Sequence, residues 1–289
     1  MKKIAIIGAG VVGSSMAILM QRKGYRITGV ASRRQASAEA LGERVGSLTT
    51  TTDIANIVDN AEIVLIATPD REISRVAESL ADAPGFRFGT IVIHLSGALT
   101  SDILSPVKRR GGLVLSLHPL QSFANVEGAL TGLPGSVFTL EGDDTAIVTG
   151  QELVRALGGQ PVSIKAEDKV LYHGAACIAA NYLVSLAHLA VSLFEAAGFT
   201  QEQAGQALIP LMRGVLDNVA VSGPVRSLTG PIARGDTGTV VKHLVTLKEK
   251  YPGALDIYCL LGQYTVKVAL EKGTLNPEAA QELEGLLRS

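Results

Sequence analysis

The sequence predicts an α/β protein, a doubly wound and mostly parallel sheet followed by an all-helical C-terminal domain, and three observations carry that expectation. From residue 3 to about residue 164, short β-branched runs alternate with helical segments, the pattern of parallel strands joined by crossover helices. After about Lys165 the strand runs stop, and helices follow, separated by turn signals at Gly198, Ser222-Gly223-Pro224, Thr229-Gly230-Pro231, Pro252-Gly253 and Asn276-Pro277. A glycine-rich turn, Gly8 to Gly13, directly follows the first run. At 289 residues the chain is long enough for two domains, and the change of pattern places them at 1–165 and 166–289.

The elements follow in order. KIAII is the first strand; its apolar run breaks into glycines too early for a signal-peptide core or a membrane span. YRITGVA arrives where the second strand of a βαβ unit belongs. AEIVLIAT, GTIVIHL, GGLVLSL, GSVFTLE and PVSI complete the strand set. Val170 to Phe194 contains no Asp, Glu, Lys or Arg and is long enough to cross a bilayer. His173, Asn181 and His188 interrupt it and no basic cluster or aromatic belt flanks it, so it reads as a helix at the centre of a domain or dimer rather than a membrane segment.

Composition narrows the partners. Hydrophobic residues make up 47% of the chain and charged residues 18%, with 26 Lys and Arg against 27 Asp and Glu. Bulk charge therefore offers nothing to nucleic acid or an anionic membrane, and a small molecule is the expected partner. Cys177 and Cys259 stand far apart in apolar stretches, which fits reduced thiols in a cytoplasmic protein and gives no metal-ligand spacing; neither disulfide nor metal site is expected.

Gly8-Ala9-Gly10-Val11-Val12-Gly13 opens a helix after a strand, so its glycines suit a tight turn, close approach of a pyrophosphate and close helix packing, as in a Rossmann-type dinucleotide site. At the end of the second strand, where an acidic residue would bind a free ribose 2′-hydroxyl, the chain has Ser32-Arg33-Arg34. Two guanidinium groups and a hydroxyl suit a 2′-phosphate, so the expected cofactor is NADP(H). Thr68-Pro69-Asp70 ends another strand at the same sheet edge and is a further cofactor candidate, with an N-cap role as the plain alternative for Asp70.

Two later strands end in polar residues on that edge: His94-Leu95-Ser96-Gly97 and His118-Pro119-Leu120-Gln121-Ser122. Hydride transfer involving a carbonyl needs a proton donor near the oxygen, and histidine suits proton exchange at neutral pH. His118 is the expected acid/base and Ser96 its partner; His94 reads as a buried structural histidine. If the helix is continuous, His173, Cys177 and Asn181 share one face, which makes His173 and Asn181 candidates to bind substrate. Arg234, in the loop Ser227 to Asp236, is placed to clamp a substrate carboxylate, while Asp236 reads equally as a helix N-cap.

The blocks GAGVVG, SRR, ATPD, HLSGAL, LHPLQSF, YHGAACIAANYL and SLTGPIARGD resemble a family of Rossmann-fold NADP oxidoreductases whose helical C-terminal domain is of unknown function. More loosely, the chain is similar to prephenate dehydrogenase, ketopantoate reductase and the β-hydroxyacid dehydrogenases. Resemblance to prephenate dehydrogenases implies reaction-site roles for Ser96 and His118. Leu120-Gln121-Ser122-Phe123 departs from their glycine-ended loop, and Lys169 is followed four residues on by His173 where the other two groups have Asn. The resulting expectation is an NADP(H)-dependent oxidoreductase acting on a small carbonyl, hydroxyl or imine compound, homodimeric through its C-terminal helices. A non-catalytic NADP(H) sensor is the alternative, and hydride exchange with a deazaflavin a minor variant.

Overall fold

The computed structural model describes residues 2–288. The chain divides into two compact units, the first ending at Ala180 and the second beginning at Asn181. This contact boundary lies fifteen residues beyond the 165/166 boundary expected from the end of the strand runs.

The first unit is built on one eight-stranded sheet. Its strands are β1 Lys3–Ile7, β2 Arg26–Ala31, β3 Thr50–Thr51, β4 Ile63–Ile66, β5 Ile91–His94, β6 Leu113–Pro119, β7 Val137–Gly142 and β8 Gln160–Ser163. The spatial order is β3-β2-β1-β4-β5-β6-β7-β8. All neighbours pair in parallel except β6 and β7, which are antiparallel. Strand order reverses between β1 and β4, the switch point at which doubly wound sheets open a ligand crevice. The two-residue β3 has no run of its own and was not among the expected strands.

The helices of this unit are α1 Val11–Arg22, α2 Gln35–Val45, α3 Ala55–Val58, α4 Asp70–Asp82, α5 Ser105–Arg109, α6 Val126–Gly132, α7 Asp144–Ala156 and α8 Lys169–Ala179. They account for the near-continuous apolar character of the central strands. Alternate residues feed two cores: Ile4, Ile6, Leu65 and Ile93 pack on one face with Met16 and Met20 of α1. Ala5, Ile7, Val64 and Val92 pack on the other with Ile73 and Leu80 of α4. With both faces covered, a parallel strand has no use for polar alternation.

The second unit is helical: α9 Asn181–Ala196, α10 Gln201–Ser227, α11 Thr237–Lys250, α12 Leu255–Lys272 and α13 Pro277–Arg288. A capping box starts α10, where the Thr200 hydroxyl accepts from Gln203 N and the Gln203 side chain from Thr200 N. The Ser222-Gly223-Pro224 turn signal is realised as a kink in α10, with Gly223 at φ 77°. The unit's core is small, with Val240, Val266, Ala269, Leu283 and Leu287 at its centre.

The stretch Ala166–Ala196 is long and apolar enough to cross a membrane, and the chain does not bury it. No residue of α9 is buried, and in α8 only Lys169 is. The reading of this stretch as the core helix of a domain is therefore corrected: within one chain it is a surface. Its continuity fails as well, because Ala180, at φ −109° and ψ −63°, separates α8 from α9.

Candidate active site

The glycine turn contains glycines of two kinds. Gly8 has φ +107°, donates its N–H to Ala31 O at 2.8 Å, and a Cβ there would lie 2.5 Å from Ala67 O. A Cβ on Gly13 would overlap the carbonyl oxygen of Gly8. The protein's own backbone therefore requires these two. Gly10 has nothing within 4 Å of its Cβ position, so no atom of this chain requires it to be glycine. It is also the N-cap of α1, with no side-chain cap and no acidic residue in the first turn. Free amides at the positive end of a helix beside open space form an anion cradle.

That turn lines a cavity of about 440 Å³ together with the ends of β2 and β4. Of the expected cofactor residues, Gly8, Ala9, Gly10, Ser32, Arg33, Arg34, Thr68 and Pro69 line it. Val11, Val12, Gly13 and Asp70 do not. Thr68 Oγ1 is buried with no hydrogen-bond partner, an orphaned group of the kind a bound polar ligand satisfies. Arg71 and Arg75 of α4 share this wall and flank Glu72, with N–O distances of 3.6 and 3.1 Å. They were missed because a helix carrying several charges reads as a solvated face. A wider cavity, about 770 Å³, opens by Lys3, Tyr25, Arg26 and Asn60, away from the glycine turn.

Further along the carboxyl edge, the end of β5 folds back on itself. Ser96 N donates to His94 Nδ1 at 3.2 Å, and His94 Nε2 lies 3.1 Å from Thr100 O. An acceptor Nδ1 leaves the proton on Nε2, so His94 is a neutral structural histidine, as expected. Burial and the Lys169 charge lower its pKa to about 4. Ser96 is only 5% exposed. Its hydroxyl donates to Asp70 Oδ2 at 2.7 Å and accepts from Ala98 N and Leu99 N at 3.2 and 3.0 Å. Ser96 thus ties the first turn of α4 to the loop after β5, and its expected pairing with His118 is not made. Asp70 stands inside the first turn of α4, with Pro69 as the N-cap, so its carboxylate serves Ser96 rather than capping the helix.

The partner of His118 is Tyr172, whose hydroxyl lies 2.7 Å from Nδ1. His173 packs edge-on against the same imidazole, with ring centroids 6.4 Å apart. Both rings rest on Gly97, where a Cβ would come within 2.9 Å of His118 Nε2 and 2.7 Å of His173 Cδ2. Burial, then the charges of Lys169 and His173, lower the His118 pKa to about 4, with Asp70 opposing. Lys169 itself is fully buried. Burial lowers its pKa against the opposing pull of Glu141 and Asp70. Glu141 is fixed by Ser101, which donates from its N at 2.7 Å and from its hydroxyl at 2.6 Å.

Tyr172 and Glu141 were not singled out from the sequence as site residues; Gly97 stood only within the His94-to-Gly97 block, and Lys169 entered only through a family pattern that His173 breaks. The available signal was polar residues inside otherwise apolar segments: Lys169 and Tyr172 at the head of an apolar helix, and Glu141 at the end of a strand. The remaining candidates separate. His173 belongs to the His118 cluster, with Cys177 Sγ 3.9 Å from its Nδ1. Asn181 heads α9 in the helical unit. Arg234 is exposed, and Asp236 caps α11 by accepting from Thr239 N at 3.0 Å.

A doubly wound sheet with a glycine cradle at its switch point defines a Rossmann-type dinucleotide-binding architecture. The comparisons agree with that class. Residues 1–119 match a Rossmann-like domain and residues 136–265 a domain of unknown function, DUF2520. The fold is shared with a Thermotoga maritima protein, at TM-score 0.72, 27% identity and coverage of 93% of this chain and 97% of that one. A proposed NADP oxidoreductase from Bacteroides fragilis gives TM-score 0.73 at 22% identity, covering 92% of this chain and 98% of that one.

An Aspergillus terreus reductive aminase in complex with NADPH and ethyl-5-oxohexanoate gives TM-score 0.59 at 19% identity, over 99% and 92% of the two chains. At these identities the last two establish the fold alone. Among curated proteins, glycerol-3-phosphate dehydrogenases [NAD(P)+] of Thermoanaerobacter sp. and Moorella thermoacetica are 29% and 28% identical over 35% and 49% of this chain. The matches span 33% and 46% of those enzymes, less than half of their length.

Proposed function

We propose that the chain is an NADP(H)-dependent oxidoreductase that moves hydride to or from a small carbonyl, hydroxyl or imine compound. One observation carries the reading: Gly10 is the glycine this chain does not need, and it faces open space at the uncapped start of α1. The residues present fit the cofactor. The turn from Gly8 to Gly13 would hold the pyrophosphate, Ser32, Arg33 and Arg34 the 2′-phosphate, and Thr68 a polar group of the ligand through its orphaned hydroxyl. NADPH, when bound, supplies the hydride. His118 exchanges a proton or hydrogen bond with the reacting oxygen or nitrogen, and the Ser96–Asp70 hydrogen bond ties the start of α4 to the loop after β5, the strand next to that of His118. His173 is a substrate contact in this reading.

The protein acts as a homodimer, with the apolar helices of the C-terminal domain meeting those of a second copy. Exposed Tyr182, Val184, Leu211, Val215, Leu260 and Tyr264 support this assembly. Two free cysteines fit a reducing, cytoplasmic setting.

The test is calorimetric titration with NADPH and NADH in parallel. Gly10→Ala keeps the fold and loses NADPH binding, because its methyl group occupies only ligand space. Arg33→Ala weakens NADPH by roughly tenfold to a hundredfold, the worth of one charge-assisted hydrogen bond, and leaves NADH unchanged. Undiminished NADPH affinity in Gly10→Ala would end the reading.

A further inference from the structure

The surroundings of His118 determine which of its nitrogens carries the proton. Nδ1 faces the Tyr172 hydroxyl at 2.7 Å, and the two rings meet edge to face with centroids 5.8 Å apart. Nε2, on the opposite side of the ring, faces Gly97, where even a methyl group would come within 2.9 Å. We propose that Tyr172 is a positioning residue: its hydroxyl donates to Nδ1 and so holds His118 as the neutral tautomer with the proton on Nε2. The group turned to the reaction is then an N–H donor, suited to a neutral carbonyl oxygen or a neutral imine nitrogen that offers a lone pair. This inference rests on the placement of His118 in the proposed reaction.

The argument is one of satisfied donors. A phenol taken partly out of water must give its proton to an acceptor. The Thr139 hydroxyl, buried and otherwise unpartnered, acts on the phenol oxygen as a donor, so the acceptor left for the phenol's proton is Nδ1, the single acceptor nitrogen of a neutral imidazole. An imidazolium would have no acceptor at all and would present a second donor to the phenol. Lys169 and His173 from α8 oppose that charged form, while Asp70 from α4 favours it and His94 from the neighbouring β5 is neutral. Burial adds to the opposition, so His118 is uncharged at neutral pH. Removing the phenol oxygen removes the donor that excludes the Nδ1–H form, so that this tautomer becomes populated beside the intrinsically preferred Nε2–H form.

A long-range proton–nitrogen spectrum of the nitrogen-15-labelled full chain, without cofactor, reads the tautomer directly, with His118 assigned through His118→Ala. The expected wild-type result is a bare Nδ1 and a protonated Nε2 from about pH 5 to about pH 8. Tyr172→Phe gives a mixture of tautomers while NADPH affinity, measured calorimetrically, changes by less than about twofold. A protonated Nδ1 in the wild type overturns the proposal, as does a Tyr172→Phe spectrum identical to wild type. The wild-type spectrum decides even if the variant does not fold. Failure of the oxidoreductase reading would show separately, as undiminished NADPH binding in Gly10→Ala or full turnover in His118→Ala.

Discussion

The two units bury apolar surface in opposite ways. In the sheet unit, alternate residues of β1, β4 and β5 enter one core or the other and are close to fully buried. In the helical unit the core is small, and α9, α10 and α12 carry leucines, valines and tyrosines on open surface. The sheet unit is thus stabilised by its own interior, whereas the helical unit presents an apolar surface suited to another body. A stability that depends on a second copy depends on concentration, and one that rests on an internal core does not.

The largest expected effect breaks this contrast directly. Val184→Glu, on α9, should convert the proposed dimer to monomer in light scattering and abolish any dependence of the melting temperature on protein concentration. A wild-type protein that is already monomeric at micromolar concentration would sink the dimer; vesicle flotation would then show whether a membrane covers the face instead.

Next in size is a pair of glycine substitutions inside the sheet unit. Gly13→Ala forces a methyl group onto the Gly8 carbonyl and should cost about 1–3 kcal/mol by denaturant titration, the usual range for overpacking. Gly10→Ala should cost less, about 0.5–1 kcal/mol, the difference between glycine and alanine at a helix N-cap. Equal losses from the two would contradict the separation of structural from ligand-facing glycines.

The sheet unit should also respond to pH through His94. Its folded pKa, about 4, lies below the ordinary 6.5, so between these values the unfolded chain binds more protons than the folded one. Its contribution is fully present above about pH 6.5 and is lost as pH falls through about 4, on the order of 3 kcal/mol in all. His94→Gln should flatten stability measured between about pH 7 and about pH 4.5, and an unchanged slope would count against the buried neutral histidine. Ser96→Ala removes the hydrogen bond to Asp70 and those from Ala98 N and Leu99 N and should cost about 1–3 kcal/mol.

Much of the sheet unit was legible because its signals are local. KIAII followed at once by Gly8 to Gly13 specifies strand, turn and helix within a dozen residues, and seven of the eight strands were visible as apolar runs. The two-residue β3 was not, because its pairing partners are set by β2 rather than by its own composition. His118 was recognisable from its place at the end of a strand, but its partner was not. Tyr172 lies 54 residues away, and nothing in the local pattern says which side chain of α8 comes down on which strand end.

The sequence by itself determined the alternation that makes a parallel sheet, the glycine cradle, and the substitution of Ser32-Arg33-Arg34 for an acidic residue at the end of β2. These depend on backbone sterics and on short spacings, which neighbouring residues set. Only the tertiary structure decided that Ser96 belongs to Asp70 and His118 to Tyr172. It also buried Lys169 within reach of the charges of Glu141 and Asp70, and left the apolar helix after it on the surface. Those outcomes turn on which distant groups share a desolvated space, and that is fixed by how the elements pack rather than by any one of them.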